Sequence, residues 1–364
     1  MADWLSSMQQ TFEYYTVDPG TWKDVQLIRT VKSCTINRDS EAETLGSATM
    51  DITDSLGECY IRVYLITIQN GLRERHPLGT FLIQTQPSSF DGKVQSVSVD
   101  AYTPLLELKE NPPPIGYSLL KGDNIMGKAY SIVRDQVRAP VVPVENEKTL
   151  YYDFVSNIDD KWLPFVSDLI ANAKYKLDLD EMGRILFAPN QDISALQPVW
   201  TYDDGGKSIL YTDLTMDRDL YGIPNVIEII YSKGFYDEED GKTKYYLKIV
   251  NDDPNSPVST VNRGRPLTHR VSDPNIAGDS GSTMMTKSVI YNYAEQLLKE
   301  LSTLVCTVSY THGYCPVRLG DCVRLNHAKA GLMGIKAKVI YQSIACEPGC
   351  PVTEKAVFVN KLWR

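Results

Sequence analysis

Residues 59–71 read CYIRVYLITIQNG, and residues 76–85 read HPLGTFLIQT. The first run is dominated by Val, Ile, Tyr and Thr, side chains that suit a pleated, half-buried surface better than a helix. It stops at Asn70-Gly71, a pair that tolerates the positive φ angles of a tight hairpin turn. The second run returns as Gly79 to Gln86. Working outward, Val25 to Asn37 is rich in β-branched residues, and Ala48 to Thr53 follows the turn-like Leu45-Gly46-Ser47. Val94 to Tyr102 alternates apolar and polar residues. Strands this short and this closely spaced predict one sandwich or barrel.

The pattern breaks at Asn111-Pro112-Pro113-Pro114. Three prolines favour a stiff extended link and exclude a central strand. Beyond them the apolar period changes. Ile125, Ala129, Ile132 and Val133 mark one face of a helix over Asp123 to Val137, with Asp123 placed to cap it. Asp160 to Ala173 predicts a second helix, with Pro164 in its first turn where proline is tolerated. Tyr175 to Ala188 reads as a hairpin turning near Met182-Gly183. The β pattern then returns. Asn225 to Tyr231 and Lys244 to Val250 flank an acidic turn at Asp237 to Gly241, and the polar loop Asn251 to Pro257 follows. Met284 to Leu301 is the one long helix. Leu304 to Thr311, Val317 to Leu325, Ile335 to Ile344 and Lys355 to Leu362 read as strands. The expected organisation is mainly β with an α+β insertion: a β domain over 1–111, a small α+β domain over 112–200, and a second β domain with one long helix over 201–364.

The chain has 364 residues, enough for two or three domains. Its net charge of -9 argues against a dedicated nucleic-acid binder, which needs clustered Lys and Arg. Met1 to Thr16 has neither the basic start nor the apolar run of a signal peptide. No stretch approaches the apolar length of a membrane span, and folding in a cytosol is expected. Seven cysteines, an odd number in a long chain, read as reduced and mostly buried thiols. The 22 Tyr against 8 Phe suit strands and contact surfaces where the ring is dry and the hydroxyl wet.

Several segments, in order along the chain, resemble bacteriophage tail hub and minor tail proteins. The first is Ser40 to Thr53 (SEAETLGSATMDIT), leading into CYIRVYLITIQNG and HPLGTFLIQT. The second is a helix feeding KLDLDEMGRILFAP at 176–189. The third is a late block with LTMDRDLYGIPN at 214–225, NDDPNSPVSTVNRGR at 251–265, THGYCPVRLGDC at 311–322 and SIACEPGCPVT at 343–353. The resemblance implies a tube-like β fold used twice around an inserted domain. It implies a homotrimeric ring that presents pseudo-sixfold geometry to a hexameric tail tube. The expected partners are further copies, a tail tube or distal tail protein, and a tip, spike or tape-measure protein. The expected location is the virion, with assembly in the host cytoplasm. No catalytic residue and no cofactor is implied.

The sharpest chemical signal is late in the chain, where His312, Cys315, Cys322, His327, Cys346 and Cys350 cluster. Zinc takes four such ligands, usually as paired short spacings on loops. The wide step from Cys315 to Cys322 is unlike a zinc knuckle, and Cys322 sits in an alternating strand. Buried or loop thiols are therefore the expected reading, with a Cys346–Cys350 disulfide as another option. Gly320-Asp321 reads as a turn. The acids at Asp203-Asp204-Gly205-Gly206 and Asp237 to Gly241 read as solvated turns, not as a glycosidase pair or a calcium loop. Asn262-Arg263-Gly264-Arg265 lacks the phosphate-loop pattern, and its arginines are expected to bond a neighbouring subunit or domain. Gly278-Asp279-Ser280-Gly281 echoes a serine-protease tetrapeptide but has no partner histidine in view. A structural, non-enzymatic assembly protein is the reading. The alternatives are a cell-wall hydrolase and a glycan-binding tail-tip protein. Trp4, Trp22, Trp162, Trp200 and Trp363 are scattered, without an aromatic strip.

Overall fold

The computed structural model describes residues 2–90, 92–93, 95–205, 208–218, 220–274, 276 and 284–362. Gly206, the Gly278 to Gly281 tetrapeptide and Trp363 lie outside the described residues. The chain falls into two compact units, Met1–Thr215 with Ser309–Ala356, and Met216–Val308 with Val357–Arg364.

The first unit opens with β1 (Gln9–Val17), β2 (Asp24–Ile28), β3 (Val31–Asp39), β4 (Gly46–Ile52), β5 (Tyr60–Gln69), β6 (Leu72–Thr85), β7 (Ser88–Phe90) and β8 (Gln95–Tyr102). The Asn70-Gly71 signal is met as expected: both residues have positive φ, and Gln69 pairs with Leu72 across the turn. Val25 to Asn37 is two strands, not one. The break falls at Arg29-Thr30, where the Thr30 carbonyl accepts from Thr53 N. In β5 the side chains of Ile61, Val63 and Leu65 enter one core with Ile36, Met50, Ile52, Leu78, Phe81, Val97 and Val99. Its other face is also buried, so the run is apolar almost throughout.

A short α1 (Leu106–Glu110) ends at Asn111, which is extended because the proline after it disfavours helical backbone. The insertion then supplies β9 (Ser118–Leu119), α2 (Ile125–Gln136), β10 (Phe154–Val155), α3 (Trp162–Ala171), β11 (Tyr175–Leu179) and β12 (Ile185–Pro189). It has its own core, with Met126, Ala129 and Val133 of α2 against Phe165, Val166 and Leu169 of α3. Asp123 does not cap α2. Asn124 does, its side chain accepting from Gly127 N at 2.7 Å. Asp123 instead accepts from Leu120 N at 3.0 Å, holding the preceding turn.

Next come β13 (Pro198–Asp203) and β14 (Leu210–Arg218). In the second unit, β15 (Val226–Asp237) is flanked by β16 (Lys242–Val250) on one side, with β17 (Thr268–Ser272) and β18 (Met285–Thr286) on the other. A short α4 (Thr260–Arg263) lies between β16 and β17. Helix α5 (Lys287–Leu301) packs Ile290, Ala294 and Leu298 on Ile227, Ile229 and Phe235. It starts at Lys287 rather than Met284, because Met285 and Thr286 are spent on β18.

The chain finishes with β19 (Thr303–Gly313), β20 (Cys322–His327), β21 (Leu332–Ala345) and β22 (Pro351–Lys361). Val317 to Leu319, expected as the start of a strand, instead lead into the Gly320-Asp321 turn, which is met as expected. The Asp321 carboxylate accepts from Arg318 N, and Gly320 takes a φ of 86°. The strand order is β14-β19-β22-β21-β3-β4-β8-β6-β5-β1-β2, so β21 joins the C-terminal strands to β3 of the opening domain. Tyr314, Ile344, Cys350 and Val352 accordingly share the first core. The architecture is mainly β with an α+β insertion, as the periodicity implied.

Candidate functional site

Strand alternation places the late histidine. In β19 the inward positions are Leu304, Cys306, Val308, Tyr310 and His312; in β22 they are Val352, Glu354, Ala356 and Phe358. His312 and Glu354 are therefore polar residues at apolar registers, and both are fully buried. His312 Nε2 lies 3.5 Å from Glu354 Oε2 and 3.1 Å from the Tyr202 hydroxyl. His312 Nδ1 sits 2.7 Å from the Gly313 carbonyl. Tyr310 donates to the other carboxylate oxygen, and Gln342 Nε2 donates to Oε2 at 2.7 Å. The Cys315 thiol is 3.2 Å from the Tyr202 hydroxyl and 4.0 Å from His312 Nδ1.

Burial by itself pushes the His312 pKa down. Hydrogen bonds to Cys315 and Glu354, with the charge on Glu354, outweigh it and raise the imidazole to about 10. With a proton on each nitrogen the ring donates toward Gly313 on one side and toward Glu354 on the other, so the charged form suits both neighbours. A thiol, an imidazole and a carboxylate in contact have the makings of a nucleophilic site. Cys315, Tyr202 and Tyr310 are as buried as the pair, so no substrate reaches the thiol. The arrangement is a charge-bearing buried network.

Of the other residues read as metal candidates, Cys322 heads β20 opposite Pro198 and Lys338. Cys346 and Cys350 pack in the first core beside Cys34. All seven cysteines are free thiols. Among the described residues no group of three His, Cys, Asp or Glu is arranged to hold a metal. Tyr202, Gln342 and Glu354 escaped the sequence reading. The legible signal was Glu354, an acid at an inward position between Val352 and Ala356.

A second polar cluster seats the β11–β12 hairpin on the β-sheet. Arg62, on the outer face of β5, is only 1% exposed. Its guanidinium donates to Thr80 Oγ1 and Asp24 Oδ1 at 2.9 Å each, and to the Met182 carbonyl at 3.0 Å. Trp22 Nε1 reaches the same carbonyl at 2.7 Å. Arg318 bonds Glu181 at 2.7 Å and the Leu179 carbonyl at 2.6 Å. Between these groups lies a cavity of about 50 Å³ lined by Arg38, Phe81, Asp178, Glu181 and Arg318, too small for a glycan.

The acidic turns have plain partners. Lys287 lies 3.3 Å from Asp237 and 2.6 Å from Glu239, and Gly205 N bonds Asp203 at 2.9 Å. Arg263 bonds the Ile223 and Leu220 carbonyls at 2.6 and 2.9 Å, so it closes a loop of its own unit rather than reaching outward. These groups are thus spent internally, and one stretch of surface is apolar. On and beside the β9–β10 ribbon, Ile115, Leu120, Tyr151, Tyr152, Val155 and Ile158 are all exposed. Among the described residues, β2 pairs only with β1 and β14 only with β19, which leaves strand edges open.

A tail protein from Neisseria meningitidis MC58 superposes on 96% of this chain and 97% of its own, with a TM-score of 0.58 at 13% identity. The 43 kDa tail protein of prophage MuSo2 from Shewanella oneidensis covers 95% of this chain and 98% of its own, with a TM-score of 0.60 at 9% identity. The chain has the fold of phage tail proteins. A chain of the Francisella PdpA–VgrG complex is similar over part of its length: 98% of this chain matches 53% of that one, with a TM-score of 0.55 at 9% identity. No protein-family model matches the sequence, and no curated protein does. Among the described residues of this tail-protein fold, no helix is long and apolar enough to cross a membrane.

Proposed function

We propose that the protein is a structural hub of a bacteriophage tail tip or baseplate, and that it does its work by assembly rather than turnover. The observation that carries this is the two-way coverage. Two tail proteins match over nearly the whole of this chain and of their own, so the likeness is not confined to one common motif. In this reading a first tube-like part (1–111), an insertion (112–200) and a second tube-like part (201–364) form one protomer. Three protomers close a ring whose β-domains meet a hexameric tail tube or distal tail protein. The opposite face meets a tip, spike or tape-measure protein. The protein is then a virion component, assembled in the host cytoplasm.

Closed rings use heterologous contacts, in which one patch of a protomer meets a different patch of the next. The open strand edges and the apolar ribbon supply such patches. The burial of Cys315, His312 and Glu354 favours assembly over an enzyme, because this thiol–imidazole–carboxylate constellation is sealed. The test is the mass of the full chain by light scattering over a range of concentrations, with and without the cognate tube protein. A trimer, alone or on the tube, is expected. A monomer at every concentration that also ignores the tube protein sinks the proposal.

A further inference from the structure

We infer that Cys34 and Cys346 form an oxidisable dithiol that closes to a cross-strand disulfide and fastens the C-terminal strands to the opening β domain. Strand β21 runs antiparallel to β3 with Ala345 opposite Thr35, and one step further Cys346 N donates to the Cys34 carbonyl at 2.9 Å. The two cysteines are therefore direct cross-strand neighbours with side chains on one face. Opposed residues of such a hydrogen-bonded pair have Cα atoms about 5.5 Å apart, within the roughly 4.4–6.8 Å that a disulfide spans. Cys34 and Tyr14 belong to the first core, and Cys346 packs against it.

The two thiols differ in access, and that sets the order of events. Cys346 is half-buried, whereas Cys34 is 4% exposed. The Cys346 hydrogen bond and burial hold the Cys34 thiol well above its ordinary value. A low-molecular-weight disulfide is the oxidant. The Cys346 thiolate attacks one of its sulfurs, a Cys346–S–S–R bond forms, and one RS⁻ leaves to be protonated. Cys34 then gives up its proton and its Sγ attacks Cys346 Sγ, expelling the second RS⁻. Two thiols lose two electrons and two protons, and one RSSR becomes two RSH. Cys350 also packs nearby, but it is fully buried and its backbone is fixed at a φ of 40°, away from the strand pairing that aligns the other two.

The bond ties residues far apart in sequence, so it restricts the unfolded chain strongly. The test treats the full native chain with oxidised glutathione, followed by intact-mass measurement and peptide mapping. Loss of two hydrogen atoms with one linked peptide pair holding Cys34 and Cys346 is expected. So is a Tm rise of roughly 5–10 °C that a reductant reverses. Cys350→Ser should still close the bond. Cys34→Ala, with Cys34→Ser as a second version in case one fails to fold, should stop at a glutathione adduct on Cys346. A Cys346–Cys350 link, or a chain that keeps all thiols and takes up no glutathione, overturns the inference.

Discussion

His312 joins stability to pH. Its folded pKa, about 10, lies above the ordinary histidine value of 6.5. The charged ring is therefore held more tightly folded than unfolded. That contribution is fully present below about pH 6.5 and fades as pH climbs toward 10. The groups facing it are Glu354, Tyr202, Tyr310 and Cys315, all buried with it. Thermal unfolding followed from pH 6 to 10 should show Tm falling across this window. His312→Gln should flatten the slope there and, near pH 6.5, cost about 3–5 kcal/mol, because Glu354 is left buried without its cation. A slope unchanged by the substitution would remove the imidazole from the account. Arg62 makes a parallel case without titration. Arg62→Met keeps the volume but removes one donor each from the Asp24 carboxylate, which Arg75 and Tyr64 still reach, and from the Met182 carbonyl, which keeps Trp22 Nε1. Urea unfolding should register a loss of about 1–3 kcal/mol.

Elements were legible where one local rule governs them. The Asn70-Gly71 hairpin, the apolar face of α2 and the β11–β12 turn all follow from backbone preference and period. Boundaries failed where a side chain chose between neighbours. Asp123 and Asn124 are both good caps, and only the fold shows that Asn124 bonds Gly127 while Asp123 serves the preceding turn. Asn124→Ala should therefore cost about 1 kcal/mol in chemical denaturation. If the loss is absent, the cap is not carrying the helix end. The same limit applies to the candidate site. Cysteine and histidine density near the C-terminus suggested one cluster, but strand alternation divides it. His312 and Cys315 face one core with Tyr202, and Cys346 faces another with Cys34. Those partners lie over a hundred residues away in sequence, so spacing carries no trace of them.

For the whole molecule, the decisive feature is where the apolar surface was left. Tyr151 and Tyr152 are 83% and 82% exposed, beside Ile158, Val155 and Leu120, while Leu119 and Phe154 of the same ribbon are seated in the α2–α3 core. The ribbon is thus anchored from within and apolar outside, the pattern of a contact surface rather than of a misplaced core. Under the proposed ring assembly, this ribbon would be the patch each protomer offers the next. Changing both tyrosines to glutamate, Tyr151→Glu with Tyr152→Glu, touches side chains that the fold does not use, so unfolding should move by no more than about 0.5 kcal/mol. Self-association should weaken by at least about tenfold, since large exposed aromatics placed at an interface commonly contribute over 1 kcal/mol each. Denaturation reads the first effect and light scattering the second. An unaltered oligomer would place the copy-to-copy contact on the open edges of β2 and β14 instead. Intact self-association with lost binding to the tube protein would assign the ribbon to the tube.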